Sequence, residues 1–162
     1  MTGVQTCALP ISSNEVKSVA VKSPNPGEVL VTILSNIDDG TASLALVTTV
    51  NDKLNEEDIR PLTDQVTTQG AQIVNYTVEA VITVYPGPSS AVVESEARTA
   101  LEKFIGERHE IDRIVAISGI YDALHVDGVK KVELTTPTSD VETTDEQAPY
   151  NTNIIISVVT DE

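Results

Sequence analysis

The clearest secondary-structure signal in the chain is Tyr76-Thr77-Val78-Glu79-Ala80-Val81-Ile82-Thr83-Val84-Tyr85. Side chains suited to a core alternate along it with more polar ones, which predicts a β-strand with one buried face. Pro86-Gly87-Pro88 ends this strand, because proline fixes φ and glycine favours turns. We expect the strand to lie in the centre of its sheet, with a helix packed across it.

A helix over Ser90–Glu107 is predicted after this strand, since its apolar side chains recur at helical spacing. Phe104 is the only phenylalanine of the chain, and we expect it to anchor the core. A shorter helix over Ser118–His125 should follow, with Tyr121 turned inward. The predicted inward-facing residues are Val93, Ala97, Leu101 and Phe104 in the first helix and Ile117, Ile120, Tyr121 and Leu124 around the second.

Two more strands complete this half of the chain, at Val129–Thr135 and Ile154–Val159. The predicted order is therefore β-α-α-β-β. Between the two strands, Thr136–Tyr150 is rich in threonine and acids and contains two prolines. Such a composition is typical of a surface connection, and we predict a long, mobile loop.

The first half of the chain predicts the order β-β-α-β. Strands are indicated at Val16–Lys22 and Glu28–Ser35, and the second is apolar on both faces, which is typical of a central strand. A helix over Ala42–Asn55 and a strand over Asp64–Gln69 should follow. The helix is expected to be capped by Thr41 or Asp39 and to turn inward Leu44, Val47, Val50 and Leu54.

These patterns predict an α+β fold of two consecutive units, 13–70 and 71–162, with helices packed on mixed or antiparallel sheets. Residues 1–12 are left out, because Met1–Ile11 resembles the translation of a short-read sequencing adapter. We therefore expect residues 1–12 to be artefactual and unstructured. An adapter at this position implies that the natural gene continues upstream, so we expect the chain to be a C-terminal fragment.

Charge and composition exclude several classes of function. The chain has 25 acidic and 10 basic residues, a net charge of −15, so nucleic acid and anionic membrane surfaces would repel it. No apolar run approaches the roughly 20 residues of a membrane span. One cysteine excludes a disulfide framework and a cysteine-based zinc site. No motif for a cofactor is found, and we expect none to bind.

The polar motifs point to structure rather than to chemistry. Asp38-Asp39-Gly40 fails as a calcium loop, because Ile37 stands where an oxygen ligand belongs, and is interpreted as a helix start. His109-Glu110 begins like a zinc-protease motif, but Arg113 replaces the second histidine. Arg60, with Asp64 nearby, is a candidate for a bidentate ion pair at the junction of the units; the alternative is a solvated charge.

Six runs of residues stand in an order and at spacings typical of one protein family. They are Val19–Val29, Asp39–Ser43, Arg60–Val66, Tyr85-Pro86-Gly87-Pro88, Tyr121–Val129 and Gln147-Ala148-Pro149-Tyr150. In this order they resemble the Baseplate J-like proteins of contractile-tailed phages, across essentially residues 16–159. Ile114–Ile117 departs from the pattern, because a proline-containing entry to the last helix is expected there.

The resemblance implies a structural component of the tail baseplate wedge, located in the virion and assembled in the bacterial cytoplasm. It implies other baseplate and tail proteins as partners, a homo-oligomeric ring and no enzymatic activity. A binding or adhesion module and, more remotely, a hydrolytic enzyme are the alternatives. Asp140, Glu142, Asp145 and Glu146 form an acidic stretch that is either a contact for a basic neighbour or a solvated loop.

Overall fold

The computed structural model describes residues 15–56, 65–87 and 89–161. Two compact units are present. The first contains the described residues up to Ile73, together with 110–112 and 144–148, and the second contains the others. The α+β class and the order β-β-α-β followed by β-α-α-β-β are confirmed. Residues 1–12, Arg60 and Asp64 lie outside the described residues.

The first unit is built on a three-stranded sheet. Its strands are β1 (Val16–Lys22), β2 (Glu28–Ser35) and β3 (Gln65–Gly70), and the helix α1 (Leu44–Leu54) lies between β2 and β3 in the chain. The strand order is β1-β2-β3, with β1 antiparallel and β3 parallel to β2. The prediction that β2 is central, made because both of its faces are apolar, is confirmed.

Both faces of β2 are covered within this unit. Val31 and Ile33 pack against Leu46, Val50 and Leu54 of α1. On the opposite face Leu34 is fully buried in a small cluster formed with side chains from the returning segments. The buried members of that cluster are Leu34, Ala71, Ile111 and Ala148.

The predicted start of α1 is wrong by two residues. Ser43, rather than Thr41 or Asp39, is the cap, and its hydroxyl accepts a hydrogen bond from the Leu46 N–H. Because the helix starts at Leu44, that side chain precedes the first packed turn and is 83% exposed. The buried stripe instead begins at Leu46, four residues before Val50.

The second unit has a sheet of β4 (Gln72–Val84), β5 (Val129–Thr136) and β6 (Gln147–Thr160). The strand order is β5-β4-β6, which confirms the prediction that the strand containing Tyr76–Tyr85, β4, is central. β5 is antiparallel to β4. β6 runs parallel to β4, because Thr152 bonds to the Tyr76 carbonyl while Asp161 bonds to the Val84 carbonyl.

Two helices cover one face of this sheet: α2 (Ser90–Arg108) and α3 (Ile117–Leu124). The alternating residues of β4 predicted to point inward are all buried: Tyr76, Val78, Ala80, Ile82 and Val84. From the helices, Val93, Ala97, Leu101, Ile120 and Leu124 join the same core, as predicted.

Of the predicted core positions of the helices, Tyr121 is wrong and Phe104 is only partly confirmed. Tyr121 is 37% exposed, because α3 has only two turns and presents a single buried edge, Ile120 and Leu124. Phe104 is half-buried rather than a full core anchor: it packs at the rim of the core against the backbone of Gly119. Within the described residues no helix is both long and apolar enough to cross a membrane.

The long loop predicted between the last two strands is also shorter than expected. β6 begins at Gln147, seven residues before the predicted start at Ile154. Pro149, which argued for a loop, is almost fully buried near the start of β6. Proline is tolerated near the end of an edge strand, because an N–H there has no ladder partner to lose.

Candidate interaction surface

Asp140, the first acid of the acidic segment Asp140–Glu146, caps the N-terminus of α3. Asp140 Oδ1 accepts a hydrogen bond from the Ile117 N–H at 2.8 Å. The N-cap residue of α3 is Ala116, which makes no side-chain cap bond. One of the open N–H groups of the first helical turn is therefore satisfied by a residue that lies far along the chain.

Two further contacts hold this segment in the second unit. Val141 and Val115 exchange backbone hydrogen bonds of 3.0 Å in an antiparallel bridge. The Thr143 hydroxyl donates to the Arg113 carbonyl at 2.8 Å. The prediction of a mobile loop is therefore wrong here, because backbone groups that a free loop would leave to water are paired within the protein.

The last two acids of the segment belong to the first unit, where they meet Lys22 of β1. Lys22 Nζ lies 3.3 Å from Asp145 Oδ1 and also pairs with Glu146. The hydrogen bond from Lys22, with a second from Gln69, holds the pKa of the Glu146 carboxyl below its ordinary value of 4.5. The same bond raises the pKa of Lys22 above 10.5.

The candidate residues are divided between the two units. Asp145 and Glu146 belong to the first unit, whereas Asp140, Glu142, Phe104 and Tyr121 belong to the second. Glu142 and Asp140 are exposed, while Asp145 and Glu146 are half-buried. Tyr121 is exposed on α3. Arg60 and Asp64 lie outside the described residues, so their ion pair stays a prediction.

One groove is found in the described part of the first unit. It is shallow, with a volume of about 250 Å³, and is lined by Pro24, Glu28, Val29, Leu30, Gln65 and Thr67. It contains one carboxylate and no cysteine, histidine or serine. Among the described residues, no three His, Cys, Asp or Glu side chains are grouped so that they could hold a metal ion.

One contact surface was not singled out from the sequence. β6 is an edge strand, and Ile155 and Val159 on it are 45% and 52% exposed. The signal was present: no charged residue occurs from Gln147 to Thr160, in a chain of which 22% is charged. Only the sheet order reveals that this uncharged stretch has an open side.

Comparison with known proteins identifies the family. Residues 76–157 match the family model of the Baseplate J-like protein C-terminal domain. The chain belongs to the Baseplate J-like family. The match begins in β4 and ends in β6, so it contains both helices and all three strands of the second sheet in part or in full.

A curated member of the Baseplate J-like family supports this assignment over more of the chain. Baseplate protein J of Escherichia phage P2 is 40% identical over 141 residues, which are 87% of this chain and 47% of that protein. The chain thus spans about half the length of this relative. The similarity extends beyond the C-terminal domain, so the first unit shares in it.

Proposed function

We propose that this protein is a structural component of a phage-type contractile tail baseplate and acts by contacts with other tail proteins. The observation that carries the proposal is the 40% identity to Baseplate protein J of phage P2, together with the family match over residues 76–157. The proposal includes a location in the virion, assembly in the bacterial cytoplasm, a homo-oligomeric ring and no enzymatic turnover.

The surface chemistry supports a role in assembly. Two of the four sheet edges, β1 and β6, expose valine or isoleucine side chains, with Val21 at 48% and Val159 at 52%. Exposed edge strands with apolar side chains are suited to pairing with other chains. An enzyme would instead need a cleft in which titratable groups converge.

A chimaera tests the proposal. The part of Baseplate protein J of phage P2 that aligns with this chain is replaced by the aligned residues of this chain, in a phage that lacks its own copy. We expect the chimaera to be incorporated into tails, as detected by immunoblotting of purified particles. A chimaera that is soluble and folded by circular dichroism, yet absent from every particle, would contradict the proposal.

We further propose that the exposed start of the acidic segment meets a basic neighbour in the baseplate. Asp140 and Glu142 carry the exposed charges, while Asp145 and Glu146 are engaged with Lys22. Contact through an exposed charged rim should weaken with salt, mainly through the association rate.

The test removes charge without removing the hydrogen bond to α3. Asp140→Asn with Glu142→Gln keeps an oxygen at the Ile117 N–H and deletes two charges. Binding to a tail protein that copurifies with the chain should then lose much of its salt dependence. Glu102→Gln with Glu107→Gln, two exposed acids of α2, is the matched control. An unchanged salt slope in the first variant would make the segment a solvated surface.

A further inference from the structure

Four large apolar side chains of the first unit are exposed among the residues that the structure describes. They are Val19 and Val21 of β1, Ile37 in the loop after β2 and Leu44 at the start of α1. Their exposed fractions run from 37% at Val19 to 83% at Leu44. We refer to these four residues as the entry surface, because they lie along β1 or at the end of the sheet where the chain enters β1.

The two valines lie on the face of the sheet that α1 covers. Val19 stands opposite Ile33 and Val21 opposite Val31, and opposite residues of an antiparallel pair share a face. Ile33 and Val31 are buried under α1, whereas the two valines of β1 are exposed. The helix does not reach them, because it lies over β2 and β3 and is joined to β3 by hydrogen bonds of two asparagines. The face of β1 beside α1 therefore stays open.

Ile37 and Leu44 lie at the end of the sheet where β1 begins. The residue before Ile37 donates its backbone N–H to the Glu15 carbonyl at 2.7 Å, so Ile37 stands beside the chain that enters β1. At the same end Ala42 lies against Gly70, the last residue of β3, because a Cβ added at Gly70 would lie 3.3 Å from the Ala42 Cβ. Leu44 follows Ala42 by two residues and is therefore also close to this end.

We propose that the entry surface is covered by the part of a full-length family member that precedes the first unit. The aligned region is 47% of Baseplate protein J of phage P2, so about half of that protein has no counterpart in this chain. The second unit matches the C-terminal domain of the family, so most of the unmatched half precedes the first unit. The proposed contact is made within one polypeptide. It rests on the family assignment and does not require the baseplate role.

Chain continuity favours the preceding part over a separate molecule. An element joined to the start of β1 has an effective concentration on the order of millimolar at the entry surface, and it loses little further translational freedom on docking. Consecutive elements of a chain are also usually neighbours in space. A second copy is disfavoured, because two chains that each carry a net charge of −15 repel one another. We therefore expect an apolar face of the preceding part to cover Ile37 and Leu44 and to extend along β1.

Thiol labelling of two proteins tests the contact. One is this chain with Cys7→Ser, and the other is the chimaera with Baseplate protein J of phage P2, with the cysteines of its P2 part replaced by serine. Leu44→Cys should react with a maleimide reagent about tenfold more slowly in the chimaera than in the chain, because docking buries the thiol. Val92→Cys, at a position 56% exposed on α2, is the control and should react at the same rate in both proteins.

Charged substitutions supply a second measurement. Ile37→Asp with Leu44→Asp should leave the urea midpoint of the isolated chain unchanged, since both side chains are exposed there. In the chimaera the same pair should speed proteolytic cleavage just before β1 by about tenfold, because the preceding part no longer docks. Val92→Asp with Ile114→Asp, at two exposed apolar positions of the second unit, is the matched control and should leave the cleavage rate unchanged.

The outcomes separate this inference from the proposed function. Equal labelling of Leu44→Cys in the chain and in the chimaera would overturn the inference. So would protection already present in a self-associated chain, which would assign the surface to a second copy, or protection found only in assembled tails, which would assign it to another tail protein. A chimaera that enters tails with Leu44→Cys accessible would contradict this inference alone. A chimaera that is protected yet absent from every particle would contradict the baseplate role alone.

Discussion

At the scale of single residues, Gly119 of α3 packs closely against Phe104 of α2. A Cβ added at Gly119 would lie 2.5 Å from Cζ of Phe104, too close for any real contact. Gly119→Ala should therefore cost about 1–3 kcal/mol by overpacking, measured by urea denaturation. Gly106→Ala is the control, because a Cβ there meets nothing within 4 Å, and alanine in a helix should stabilise it by about 0.5–1 kcal/mol. Equal effects of the two substitutions would place α3 away from Phe104.

The sequence predicts the direction in which Phe104 points but not how deeply it is buried. Its spacing from Leu101 placed it on the inward face of α2, and that is where it lies. Its half-burial follows from its place at the rim of the core, where one side of the ring packs against Gly119 of α3 and the Arg108 guanidinium lies over the ring. Because this depends on a contact with a residue far along the chain, helical spacing could not supply it. Phe104→Ala should consequently cost about 2 kcal/mol, below the 3–5 kcal/mol of a fully buried phenylalanine.

At the scale of elements, α3 depends on a cap that lies outside it. Asp140→Ala removes the acceptor for the Ile117 N–H and should cost about 1 kcal/mol in the free energy of unfolding. Asp140→Asn keeps an oxygen in place and should cost less. Glu142→Ala, two residues away and exposed, should stay within about 0.5 kcal/mol. If Asp140→Ala and Glu142→Ala behave alike, the cap contributes nothing.

The elements that the sequence predicts well are those with one clear period. β4 alternates without a break, and its central place follows from that pattern. The start of α1 does not follow from the sequence, because Asp39, Thr41 and Ser43 are all suitable caps and only the packing of Leu46 selects among them. The fixed acidic segment was missed for a related reason. Its hydrogen bonds go to Ile117, Val115 and Arg113, which are distant in sequence, so composition alone suggested a free loop.

The contact between β1 and the returning segment 144–148 should depend on pH. The pKa of Glu146 is lowered by Lys22, so its contribution to stability is present above pH 4.5 and is lost as the pH falls through the lowered value. The pKa of Lys22 is raised, so its contribution is lost only as the pH rises above 10.5. In Lys22→Met the loss of stability between pH 5 and pH 3 should be smaller than in the parent chain. Lys103→Met, an exposed lysine on α2, is the control and should keep the full acid dependence.

At the scale of the whole molecule, the net charge of −15 acts against the folded state. Twenty-five acids and ten bases are brought closer together by folding, so long-range repulsion is greater in the folded chain than in the unfolded one. Salt weakens this repulsion, and it also weakens solvent-accessible ion pairs such as Lys22 with Asp145 and Lys130 with Asp161. Exposed pairs contribute little individually, so we expect relief of the repulsion to be the larger effect.

The apparent melting temperature should consequently rise with sodium chloride. The useful interval is about 0.01 M to about 0.1 M, over which the Debye length falls from about 30 Å to about 10 Å. Glu102→Lys with Glu107→Lys moves the net charge toward zero at two exposed positions of α2 and should reduce the rise. A melting temperature that falls with salt in both proteins would mean that the ion pairs outweigh the repulsion. In that case the chain's own lysines would offset the repulsion between its acids. The folded state would then not need a basic neighbour for its stability.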